Sequence, residues 1–103
     1  MIIGEDKTEL NLTLDTNVLA STIPLELGGK LVGVYVNPLS GTHDNHKLML
    51  QVSGNGVDFY DTSASLTGCG AMPDQWFSAN YVRLKITTPE GSESKVTINI
   101  IAK

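Results

Sequence analysis

Along most of this 103-residue chain the apolar residues recur at every second position, and no stretch sustains a 3.6-residue period over three turns. Successive side chains of a strand point to opposite faces, so this alternation is the signature of half-buried β-strands and argues against a helical bundle. Leu10, Leu12 and Leu14 alternate with Glu9, Asn11 and Thr13. Val32, Val34 and Val36 oppose Leu31, Gly33 and Tyr35, and the β-branched valines are the set expected in the core. The same rhythm returns in Leu48, Leu50 and Val52, in Val82, Leu84 and Ile86, and in Val96, Ile98 and Ile100.

The breaks between these runs carry turn chemistry. Residues 18–27 read as an extended stretch whose later half Pro24 demotes to an edge or bend. Gly28-Gly29 is a turn, and Asn37-Pro38 is expected to end the strand that begins at Leu31. Residues 40–46 read as a polar loop. Gly54-Asn55-Gly56 is a hairpin signal leading to a partner strand over residues 57–60. Residues 61–72, rich in Ser, Thr, Gly and Ala, read as a long irregular connection. Pro89-Glu90-Gly91-Ser92 is a turn, which predicts a hairpin across residues 81–102. Seven or eight short strands at regular spacing predict an all-β, single-domain antiparallel sandwich of jelly-roll type. Its domain spans residues 10–103, behind an N-terminal arm of residues 1–9.

Composition narrows the function classes. The formal net charge is −4, and the seven basic residues are scattered, so the electrostatic footprint of nucleic-acid binding is missing. Arg83 and Lys85 share a strand face, which two charges do not turn into a patch. Cys69 is the single cysteine, so no intramolecular disulfide staples this small core, and its stability must come from packing or from self-association. The start MIIGEDKTEL reads as neither a signal peptide nor an anchor, and no apolar run nears the length of about 20 residues that crosses a bilayer as a helix. The expectation is a soluble protein made in a reducing cytoplasm, without a membrane partner.

No catalytic constellation stands out, and the chain is expected not to be an enzyme. His43 and His46 have the H-x-x-H spacing that can bring two imidazoles to one ion, but no third ligand lies nearby in sequence. They are expected to be solvent-facing loop residues, or contacts to another subunit, and no metal or other cofactor is expected. Cys69 lacks a basic neighbour in sequence, and only a distant His43 or His46 folding over it would supply one; a half-buried apolar role is expected. Asp58, Asp61 and Asp74 surround Phe59, Tyr60 and Trp76, an arrangement open to glycosidase or Ca²⁺ chemistry but more in keeping with a polar rim around aromatics. Trp76 is either a sugar-stacking platform or an interface anchor. The sequon Asn11-Leu12-Thr13 has no secretion signal beside it.

Two stretches carry a family resemblance. Residues 50–59 (LQVSGNGVDF) run as strand, polar turn and aromatic; residues 81–88 (YVRLKITT) are followed by the closing run at 96–102 (VTINIIA). Over residues 48–102, about half the chain, this order resembles small β-sandwich virion proteins of tailed bacteriophages, especially capsid decoration (cement) proteins. A similar hairpin occurs in galactose-binding-like and carbohydrate-binding modules, which carry more aromatics or a Ca²⁺ loop than this chain does. The resemblance implies a virion location on the capsid surface, the major capsid protein as partner, and a homotrimer. The residues expected to meet a partner are Ile2 and Ile3 in the arm, His43 and His46 in the polar loop, and Trp76. Carbohydrate is the alternative ligand.

Overall fold

A computed structural model describes residues 8–27, 31–76 and 78–103. Among these the chain forms eight strands: β1 (Thr8–Asp15), β2 (Leu25–Glu26), β3 (Leu31–Gly41), β4 (Lys47–Ser53), β5 (Tyr60–Thr67), β6 (Gly70–Trp76), β7 (Tyr81–Thr88) and β8 (Ser94–Ala102). They build two antiparallel four-stranded sheets, ordered β1-β8-β3-β6 and β2-β7-β4-β5. Each hydrogen-bonded neighbour is far away in sequence except β4 and β5, and chain-consecutive strands otherwise alternate between sheets. That is the strand order of a jelly roll, and the expected fold class holds.

The alternating runs do what their period dictates. Val32, Val34 and Val36 of β3 and Val96, Ile98 and Ile100 of β8 point inward from one sheet. Leu48 and Leu50 of β4 and Val82, Leu84 and Ile86 of β7 point inward from the other, and together they make one closed core. Leu10, Leu12 and Leu14 of β1 pack against its margin.

Four expectations need correction. The proposed hairpin over 81–102 does not form: β7 pairs with β2 and β4, and β8 with β1 and β3, so the two strands face each other across the core. Their alternation is the same in either arrangement, because period two reports which face is buried and not which strand lies alongside. Second, β3 runs on past Asn37 to Gly41. Its pairing with β6 ends at Val36, so Pro38 lies where that side of β3 is an open edge, and a bulge between Pro38 and Ser40 absorbs the irregularity. Third, residues 61–72 hold most of β5 and the start of β6 instead of an irregular link. Both are edge strands, where small residues of modest β-propensity suffice. Finally, residues 57–59 do not open the partner strand: the Asn55 side chain accepts from the N–H groups of Val57 and Asp58, both at 2.9 Å, and β5 starts at Tyr60.

The stretch 18–27 is extended along the open edge of β7. Thr22 N–H donates to Leu84 O (2.8 Å) and Ile86 N–H to Ala20 O (2.9 Å), and only Leu25–Glu26 forms a regular strand, just after Pro24.

Candidate functional site

Because strands run alternately up and down, the β1–β2, β3–β4, β5–β6 and β7–β8 connections collect at one end of the sandwich. Residues far apart in sequence meet there. His46, fully buried just before β4, has Nδ1 2.9 Å from Glu90 Oε1 and Nε2 2.9 Å from the carbonyl oxygen of Gly68. Both neighbours are hydrogen-bond acceptors. Glu90, buried in the β7–β8 connection, also accepts from the backbone N–H groups of Asp44, Asn45 and His46 at 3.1–3.2 Å. Burial pushes its carboxyl up, but these backbone hydrogen bonds and the His46 ring outweigh burial and hold it at about 2, down from 4.5. The loop over 44–46 is therefore folded around a carboxylate.

A second ring sits beside the first. His43 meets His46 edge-on, with centroids 5.5 Å apart and planes at 88°. His43 Nδ1 lies 3.2 Å from Ser94 Oγ, and Ser94 hydrogen-bonds to the buried Thr16 side chain. Thr16 ties the cluster to β1, since its N–H donates to Ser94 O and its carbonyl accepts from Glu90 N–H. His43 Nε2 is buried and has no hydrogen-bond partner among the described residues. The β5–β6 turn closes the group: Gly68 N–H donates to His46 O at 2.9 Å. Gly68 has φ +75°, and a Cβ there would come within 2.6 Å of His43 O, so only glycine lets the two loops approach this closely. The turn carries Cys69, whose Sγ lies within 4.8 Å of a ring nitrogen of each histidine. Burial, then the nearby Glu90 carboxylate, push the Cys69 thiol up.

The histidines thus differ from the solvent-facing pair expected from sequence. His46 is fully buried and offers no surface to a partner, while His43 is half-buried. The argument against a metal ion rested on a missing third ligand, and Cys69 supplies one through the fold. Glu90 and Ser94, which orient the rings, carry no mark in the sequence beyond their place in or beside a turn.

Trp76 lies elsewhere, at the end of edge strand β6, and is 69 % exposed. It pairs with Leu31 of β3, and Leu31 and Tyr35 are exposed on the same sheet. Gly33, between them, leaves a shallow depression bounded by Leu31, Tyr35, Ile101 and Lys103. Tyr60 is equally open, at 67 %, but on β5 of the other sheet. The Asp74 side chain lies outside the described ones, and the other candidates have structural roles. Asp58 accepts from Asn55, Asp61 accepts from Gln51, and the Arg83 guanidinium stacks 4.0 Å from the Phe59 ring centroid. Ile2 and Ile3 lie outside the described residues, as does all of the arm before Thr8.

No protein-family model matches this sequence, and no curated protein is similar to it. Solved structures do share the fold. The SPBc2 prophage-derived protein YomS superposes with a TM-score of 0.65 at 8 % identity, over 99 % of this chain and 98 % of that one. A chain from the acidic stable capsid structure of Helicobacter pylori bacteriophage KHP30 gives 0.61 at 10 % identity, over 93 % and 86 %. PliG of Aeromonas hydrophila, a periplasmic inhibitor of g-type lysozyme, gives 0.58 at 10 % identity, over 94 % and 86 %. At such identities the likeness shows a shared fold over nearly the whole chain.

Proposed function

We propose that this protein is a structural component of a phage virion, without enzymatic activity, that decorates the capsid surface and stabilises the lattice by bridging neighbouring subunits. The observation that carries the reading is the exposed aromatic and aliphatic surface at Leu31, Tyr35 and Trp76 on the outer side of a sheet. Large side chains of this kind, open to solvent beside one another, are the usual anchors of a protein interface. Two of the structures that share the fold come from a prophage-derived protein and a phage capsid, which supports this choice of partner. Bridging acts by mass action: a ligand that binds only the assembled shell stabilises it by about 2.7 kcal/mol per site at a hundredfold excess over Kd. The proposed assembly is a homotrimer, with the arm before β1 adding contacts to the shell.

The test adds the purified protein to capsids assembled without it and measures co-sedimentation, then the temperature at which the capsids release DNA. Binding with a raised release temperature is expected, and Trp76→Ala should weaken binding by tenfold or more. Absence of binding, or an unchanged release temperature, overturns the cement role. A second reading, carbohydrate binding in a tail or fibre, is favoured by the same exposed Trp76, whose ring is free to stack on a sugar. Retention on a glycan array that Trp76→Ala abolishes, with no capsid binding, would select it.

A further inference from the structure

We propose that His43, His46 and Cys69 form a binding site for a thiophilic divalent transition metal ion, Zn²⁺ in the first instance. The proposal is independent of what the exposed sheet face docks on. It rests on three observations. One ring nitrogen of each histidine and Cys69 Sγ lie within 4.8 Å of one another, contributed by two separate connections at one end of the fold. In a tetrahedral Zn²⁺ site with Zn–N of about 2.0–2.1 Å and Zn–S of about 2.3 Å, the donors stand roughly 3.3–3.7 Å apart. The ligands therefore need to close by about an ångström, and His43 and Cys69, both half-buried, are placed to do so.

The second observation is the unpartnered nitrogen. His43 Nδ1 is engaged by Ser94, while Nε2 is buried and finds no hydrogen-bond partner among the described residues. A buried polar atom without a partner is destabilising, and such atoms are uncommon in folded proteins. A metal ion satisfies this one. The third observation is the bracing. Metal-bound histidines regularly hold their other ring nitrogen against a carboxylate or a second polar group, which fixes the ring and raises its basicity. Here Glu90 holds His46 Nδ1 at 2.9 Å and Ser94 holds His43 Nδ1 at 3.2 Å.

Binding exchanges the Nε2–H···O=C bond between His46 and Gly68 for an Nε2–metal bond. It releases that ring proton and the Cys69 thiol proton to solvent. Two nitrogens and a thiolate leave a fourth position for water. The nearby Glu90 carboxylate offsets part of the ion's charge. Hard ions such as Ca²⁺ and Mg²⁺, which require several oxygen ligands, have no such set here.

The experiment uses the full chain, reduced and stripped with EDTA, titrated with Co²⁺ and then Zn²⁺. The expected result is one equivalent of Co²⁺ bound, with a thiolate-to-metal charge-transfer band and the intense visible bands of tetrahedral Co²⁺, displaced by Zn²⁺, and a raised melting temperature. Cys69→Ser should abolish the charge-transfer band, and His43→Ala should weaken binding by a hundredfold or more. Ser94→Ala should weaken it by about 10–100-fold. His43 and Cys69 are half-buried, so their variants are expected to fold; circular dichroism of each metal-free variant checks this. A folded wild-type chain that shows no charge-transfer band, or an affinity unchanged in His43→Ala, overturns the site.

Discussion

Replacing Ile98 by alanine tests the architecture where it is most constrained. Ile98 is fully buried on β8, the strand flanked by β1 and β3, with Leu12 and Val36 beside it in the two ladders. The substitution removes three carbons, and burial of each contributes about 0.8 kcal/mol, so transfer alone accounts for roughly 2.4 kcal/mol. Hydrogen bonds on both sides hold β8 in place, so the gap cannot collapse and the cavity adds to the loss. A total of about 3–5 kcal/mol is expected. For a domain of this length that corresponds to a fall in melting temperature of roughly 12 °C or more. Thr97→Ala, one residue away on the outer face, should cost about 0.5 kcal/mol or less. Asn37 hydrogen-bonds to the Thr97 carbonyl, which the substitution keeps. Urea unfolding followed by circular dichroism gives both values from the shift in midpoint at constant slope. Equal or reversed losses for the two variants would refute the facing assignment, since a one-residue slip of β8 would exchange the faces of Thr97 and Ile98.

Acid should act through Glu90. Its carboxyl is held at about 2 in the folded chain against an ordinary 4.5, so its contribution is fully present above about pH 4.5 and is lost as the pH falls towards 2. In EDTA, the unfolding midpoint of the wild type should drop across that window, while Glu90→Gln starts lower at neutral pH and shows a flatter profile; parallel profiles would contradict the carboxylate's role. Gly41→Ala should destabilise by about 2 kcal/mol or more, because φ is +79° and the new Cβ would overlap the Glu93 carbonyl across the ladder to β8. Gly54→Ala, with open space around it, should stay within about 0.5 kcal/mol, as thermal melts of the pair would reveal.

The sequence shows the core plainly and the pairing poorly. Val32, Val34 and Val36, Val82, Leu84 and Ile86, and Val96, Ile98 and Ile100 announce their inward face because burial imposes a period of two. The same period is silent about partners, so β7 and β8 read as a hairpin although five residues carry the chain from one sheet to the other. β5 and β6 escaped notice because Ser63, Ala64, Ser65 and Ala71 are ordinary loop residues, and edge strands place few demands on side chains. At the candidate metal centre, the H-x-x-H pair is visible within four residues. Cys69 and Glu90 stand 23 and 44 positions beyond His46 and join it only through the alternation of strands between sheets. An acidic residue in a Pro-Glu-Gly turn looks like solvent decoration, and nothing local shows that three backbone N–H groups wait for it.

The placement of β8 also sets a schedule for synthesis. Among the described strands, β1 hydrogen-bonds only to β8, and register partners such as Leu12 and Ile98 are separated by nearly the whole chain. While the ribosome is still making β8, β1 has no partner and one flank of β3 lies open, so the first sheet cannot close during elongation. Contacts of such long sequence separation place folding in the millisecond-to-second range. The sheet β2-β7-β4-β5 is complete once β7 emerges and can form first, as a template onto which the other folds. An interrupted message would leave a half-sandwich with an exposed apolar face, a natural substrate for chaperones and proteases. Only chains that include β8 would then reach the folded state.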